Sequence, residues 1–138
     1  DFCKKNNFKI ILADDVKLAL KLRLNGAYIP SFNKKFSHLS YSLKKNFILI
    51  GSAHTNREIK LKEKQKVEKI FLSSIFKINN NYLGLNIFKI FLNNYKNRFV
   101  ALGGINNTNL KKLASLKIVG FAGITFFKKK GPSKRGLL

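Results

Sequence analysis

Six short runs that are apolar on both faces recur along this chain, separated by longer polar or amphipathic runs. They are FKIILA (8–13), AYIP (27–30), FILIGS (47–52), KIFLSSIF (69–76), FVALGGI (99–105) and VGFAGI (119–124). A strand apolar on both faces has no solvent side, so it belongs to a sheet covered above and below. The runs between strands supply the cover. Val16–Leu24 repeats Leu and Ala at helical spacing until Asn25-Gly26 ends it, and a helix from Thr55 or Asn56 to about Lys66 turns Ile59 and Val67 inward. Further helices are expected over Leu85–Tyr95 and Asn107–Leu116, whereas Ser31–Asn46 is polar and mixed, with room for one helical turn. Strand and helix in alternation make a parallel sheet with right-handed crossovers.

Two architectures satisfy that pattern: an open doubly wound sheet and a barrel. Nothing after the first strand has the GxGxxG turn of a dinucleotide fold. Instead the glycines gather at the last two strands, at Gly103-Gly104 and at Gly120 and Gly123. In a TIM (β/α)8-type barrel the phosphate site follows strands 7 and 8. If these are strands 7 and 8, the chain holds strands 3 to 8, about six of the eight βα units. Roughly 50–60 residues of a barrel of about 200 or more would then precede it. The start at Asp1, without Met, fits a fragment or a processed product. The expected organisation is a partial barrel domain over 1–127 and a basic, disordered tail over 128–138.

Composition narrows the function classes. The 138 residues are 45% hydrophobic, enough to bury a core. Their apolar runs fall far short of the roughly 20 residues of a membrane span, and no signal peptide is expected at the start, so the chain reads as cytoplasmic. The single cysteine, Cys3, makes no internal disulfide. The net charge of +22 is spread along the whole chain, with abundant Lys, Asn, Ile and Phe. That mixture is what an AT-rich coding sequence produces. A nucleic-acid module would cluster its charge or interleave it with aromatics, so nucleic acid is not the expected partner. Homo-oligomerisation stays open.

Four strand ends carry chemistry. Gly103 and Gly104 close the fifth strand, where backbone N–H groups can approach an anion closely and a following helix adds its dipole. Gly120–Thr125 lies beside them, so two glycine-bearing strand ends make a cradle for one phosphate. His54, after Ile50-Gly51-Ser52-Ala53, lies where barrel enzymes place catalytic groups and can act as an acid/base near neutral pH. Asp14 and Asp15 end the first strand. One carboxylate there can hold Mg2+ against a diphosphate, while the other caps the next helix.

These residues resemble the thiamine phosphate synthase/TenI family. Ile10-Ile11-Leu12-Ala13-Asp14-Asp15-Val16 with Leu18-Ala19 is similar to that family's apolar run, Asn-Asp and "V-x-L-A". Gly26–Pro30 falls on its "G-V-H-L-G" strand, and Ile50–His54 on its "I-G-x-S-x-H" with one residue fewer. Ser73–Phe76 falls on "G-P-I-F", Ala101–Ile105 on "A-I-G-G-I", and Gly120–Thr125 on "G-V-A-V-V-S". The resemblance runs to about Phe127 and implies a TIM barrel. It implies a transferase that joins an aminopyrimidine diphosphate to a thiazole phosphate, expelling pyrophosphate with Mg2+. It also offers a tautomerase that isomerises a thiazole carboxylate phosphate, or a binder of phosphate ligands without catalysis.

By this resemblance Asp14 is a Mg2+ ligand with Asn33 beside it, and Ser52 lines the pyrimidine or pyrophosphate site. His54 is the acid/base of the tautomerase, and Gly103, Gly104, Ile124 and Thr125 hold the thiazole phosphate. Three positions depart from the family. Ala13 replaces the Asn before the strand Asp, and Asn33 falls near the second metal Asp. Lys77-Ile78-Asn79-Asn80-Asn81 replaces a Thr-x-Thr-Lys pyrophosphate loop, which leaves Lys77 to supply charge to a diphosphate.

Overall fold

A computed structural model describes residues 2–95 and 98–130. The chain forms two compact units, Asp1–Phe71 and Leu72–Leu138. The first opens with a short helix α1 (Phe2–Lys5), then alternates β1 (Ile11–Ala13), α2 (Val16–Lys21), β2 (Gly26–Ile29), β3 (Ile48–Ala53) and α3 (Asn56–Lys64). Strand β4 (Lys69–Leu72) closes it at the unit boundary. The second unit carries α4 (Gly84–Asn94), β5 (Phe99–Leu102), α5 (Lys111–Ala114), β6 (Gly120–Ala122) and α6 (Ile124–Lys130). Residues 131–138 of the expected tail lie outside the described residues, and 128–130 continue the α6 backbone rather than a loose end.

In the first unit β1, β2 and β3 pair in parallel, with Ile11 level with Gly26 and Gly26 level with Ile48. In the second, β5 and β6 pair in parallel, with Leu102 level with Ala122. Parallel neighbours in chain order, each reached through a helix or long loop, are what the alternating pattern demands. Among the described residues no helix is long and apolar enough to cross a membrane.

Helix starts follow local chemistry. Asp15 caps α2, its Oδ1 accepting from the Leu18 N–H at 2.8 Å. Thr55 and Glu58 form a reciprocal capping box at α3. The inward faces bury Val16 and Ala19 of α2 and Ile59 of α3, against Ala27, Ile29, Leu49 and Ala53 of the strands. The expected one-turn helix in the polar segment is a 3-10 turn, Ser37–Ser40.

Several elements are shorter than the sequence suggests. β1 begins only at Ile11, because Phe8 and Ile10 are exposed and the Ile10 N–H pairs with the Asn25 side chain instead of a strand. The helix expected over Asn107–Leu116 shrinks to α5. Its first turns are replaced by an asparagine knot, in which Asn106 Oδ1 accepts from the N–H groups of Thr108 and Asn109. The sixth strand stops at Ala122, and Ile124 and Thr125 open α6 instead of ending a strand. Phe121, Phe126 and Phe127 hold that helix on β6, with ring centroids 5.2–5.9 Å apart.

Candidate functional site

The first unit gathers a polar cluster at the C-terminal ends of β1, β2 and β3, where parallel α/β folds place their chemistry. Asp14 follows β1 with a left-handed backbone, φ 60°, and its N–H donates to the Tyr28 carbonyl at 2.8 Å. Asp tolerates that conformation better than most residues. Asp14 Oδ1 accepts a 2.6 Å hydrogen bond from Asn33 Nδ2. Asn33 Oδ1 in turn accepts from the Lys35 N–H at 2.8 Å. The orientation of this amide is fixed by its partners, since a carboxylate only accepts and a backbone N–H only donates.

Two residues absent from the sequence reading hold Asn33 from behind. Lys62 is 0% exposed, and its ammonium donates to the carbonyls of Pro30 (2.6 Å) and Asn33 (3.0 Å) and to Gln65 Oε1 (2.9 Å). Gln65, equally buried, donates to the carbonyls of Asn33 (3.1 Å) and Lys35 (2.8 Å). The Lys62 stem reaches inward over Gly51: a Cβ there would lie 3.1 Å from Lys62 Cδ and 2.9 Å from the Ile29 carbonyl oxygen. Glycine is therefore required at that point of the Ile-Gly-Ser strand. Burial pushes the Lys62 ammonium down to about 8, against the opposing pull of the Glu58 and Asp14 carboxylates. The available sequence signal was a lysine three residues after the inward Ile59. Among 28 basic residues it did not stand out.

Ser52, expected to line a ligand site, is buried in β3. Its Oγ accepts from the Tyr28 hydroxyl at 2.7 Å and from the Ser31 N–H at 3.0 Å. It therefore fastens β2 and the following loop to β3. His54 stands one residue beyond β3, half-buried, and its N–H donates to Glu58 Oε2 at 2.6 Å. His38, given no role from sequence, is buried with Nε2 2.8 Å from the Gln65 carbonyl.

A cleft of about 300 Å3 opens on Asp14, Asn33, Lys35, Ser37, His38 and Tyr41. A wider one of about 690 Å3 lies along α3 and carries Phe32, Lys34, Arg57, Lys60 and Lys64, which gives this edge a positive field. The Asp14 cluster does not fit a Mg2+ ion. Among the described residues no three acidic, His or Cys side chains gather to hold a metal. Asn33 turns its NH2, not its oxygen, toward Asp14. A hard cation needs oxygen donors, so the expected Asp14–Asn33 ligand pair is a hydrogen-bonded pair instead.

The second unit carries the glycine turn. Gly103 (φ 103°) and Gly104 (φ 73°) leave β5 in conformations that side chains rarely adopt. A Cβ on Gly103 would sit 2.8 Å from Ser74 Cα, and one on Gly104 would sit 2.6 Å from the Lys77 nitrogen. The turn after β4 thus lies directly against the glycines, tied by Ile75 N–H to the Leu102 carbonyl (3.1 Å) and Phe76 N–H to the Gly103 carbonyl (2.9 Å). This brings Lys77, expected from sequence to serve a diphosphate, against Gly104. Ser74 Oγ closes the turn on the Lys77 carbonyl at 2.7 Å. The β5–β6 register ends with Leu102 level with Ala122, and Ile124 and Thr125 open α6 after Gly123. The helix dipole expected behind Gly104 is displaced, because α5 begins only at Lys111. Asn109 Nδ2 instead ties the asparagine knot to the Gly104 carbonyl at 2.8 Å.

Comparison with known proteins is consistent with this arrangement. The family model described as thiamine monophosphate synthase matches residues 1–127. Among solved structures, the chain is similar to thiamine phosphate pyrophosphorylase from Pyrococcus furiosus, with a TM-score of 0.70 and 19% identity. That match covers 88% of this chain and 59% of the other, so the chain spans little more than half the length of that structure. At this identity the likeness shows the fold, an α/β fold of TIM-barrel type. No curated protein matches.

Proposed function

The chain belongs to the thiamine monophosphate synthase family, and from that premise we propose that it joins an aminopyrimidine diphosphate to a thiazole phosphate in thiamine biosynthesis. The observation that carries this reading is the Gly103-Gly104 turn, with both glycines at positive φ and Lys77 packed against them. Main-chain N–H groups of such a turn suit a phosphate, and the start of a short helix after the last strand suits the same group. On this reading the turn, with Ile124 and Thr125, holds the thiazole phosphate, and Lys77 adds charge. In the reaction the bond between the two heterocycles forms as the carbon–oxygen bond to the diphosphate breaks. Pyrophosphate leaves with the electron pair. Because the Asp14 cluster does not fit Mg2+, no step here is routed through a metal. A cytoplasmic location belongs to the same reading.

One observation favours a second reading. Asp14 is already satisfied by Asn33, which suits an isomerase that handles a thiazole carboxylate phosphate without a metal. His54 would then move the proton, with its backbone fixed by Glu58. One assay separates the two. The chain is incubated with both transferase substrates, with and without Mg2+, and thiamine phosphate is followed as its fluorescent oxidation product. Product above the control supports the transferase. Its absence from protein that thiazole phosphate stabilises against heat would refute the transferase and leave the isomerase or a non-catalytic phosphate binder.

A further inference from the structure

Every polar group of Asn33 already has a partner within the chain. Its N–H donates to the Pro30 carbonyl at 3.1 Å, and its carbonyl accepts from both Lys62 and Gln65. Its side-chain oxygen takes the Lys35 N–H, and its NH2 takes Asp14. Turning the amide to present oxygen to a cation would break two of these bonds and set an oxygen against a carboxylate. Beneath the same residue sits a fully buried ammonium, bonded to the main-chain carbonyl of the residue whose side chain holds Asp14. The place is thus electrically occupied by the chain itself.

We infer that Lys62 is the resident cation of this site, supplying the positive charge that a divalent metal would otherwise bring to Asp14, and that with Gln65 it locks Asn33 as a hydrogen-bond donor. Lys62 is a positioning residue, since it lies behind Asn33 and does not reach the cleft. Gly51 leaves room for its stem, and the Asn33 main chain and side chain relay its charge toward Asp14. Lys35 and Lys17 also line the Asp14 cleft, and neither is buried under Asn33. The inference concerns only the metal requirement of the site and holds for either reaction above.

The test uses the 138-residue chain, MgCl2 as the probe, and NaCl of matched ionic strength as the control. The wild type should show no saturable Mg2+ heat by calorimetry and no shift in Tm beyond the control. Lys62→Met should become responsive, with a rise of about 5 °C at roughly ten times the dissociation constant, and adding Asp14→Asn should abolish it. A lysine with a merely structural role would lower Tm in Lys62→Met without creating a Mg2+ response, and that result overturns the inference. So does a wild-type response that Asp14→Asn removes. If Lys62→Met fails to fold, Lys62→Gln, which keeps a polar end near the Pro30 and Asn33 carbonyls without the charge, should respond to Mg2+ in its place. An unresponsive, folded Lys62→Gln overturns the inference. Neither readout uses a substrate, so a failed transferase assay bears on the proposed reaction alone.

Discussion

Burial of the Lys62 ammonium should make the stability of this protein climb in alkali. That ammonium is depressed by burial from 10.5 to about 8. Below pH 8 the group is charged whether the chain is folded or not, and folding bears the full cost of burying that charge. Between about 8 and 10.5 the unfolded chain holds the proton and the folded chain does not. The unfolded state binds more protons there, so stability rises with pH. The gap of roughly two and a half units corresponds to about 3 kcal/mol, with about 2 kcal/mol in place near pH 9.5. The other basic residues titrate in the same range, so the quantity to measure is a difference. Wild type and Lys62→Met are unfolded in urea at a series of pH values from about 7 to 10.5, followed by far-ultraviolet circular dichroism. The wild type should gain on the variant as pH rises. A flat difference would mean that the three acceptors and two carboxylates cancel the desolvation. A difference that falls with pH would mean that they exceed it, and the reasoning would be refuted.

Gly103→Ala should be strongly destabilising, by about 2 kcal/mol or more, because it adds positive-φ strain to a clash with Ser74. Gly120→Ala meets nothing within 4 Å and should stay within about 0.5 kcal/mol of wild type in the same urea experiment. Asp15→Ala removes the α2 cap and should cost about 1 kcal/mol, read as a lower urea midpoint with unchanged slope. His54→Ala should abolish any tautomerase turnover while leaving thermal stability near that of wild type; turnover at the wild-type rate would remove His54 from the mechanism.

The alternation of apolar and amphipathic runs made the parallel α/β scaffold legible before any coordinates, because strands apolar on both faces have few other homes. Boundaries were less legible where tertiary context decided them. Phe8 and Ile10 are strand-forming residues by type but sit exposed ahead of β1, and Asn106 and Asn109 spend their side chains on their own backbone where a helix would have used it. The glycine turn was legible because positive φ demands a residue type. The hydrogen bond of Asn33 to Asp14 was not legible, because the orientation of its amide depends on the Lys35 N–H. Burial of a lysine cannot be read from a chain in which lysine is everywhere.

The satisfaction of Asn33 also has a consequence in time. Residues 31–35 have the composition of a loose loop, and amides in such loops exchange with solvent quickly. Here the N–H of Ser31 is held by Ser52, that of Asn33 by Pro30, and that of Lys35 by the Asn33 side chain. Ser52 and Pro30 are buried, and Asn33, which takes the Lys35 N–H, is held from behind by Lys62 and Gln65. The three N–H groups should open only when α3 lifts from the strands, so this stretch should share its exchange kinetics with the β3–α3 core rather than with the other surface loops.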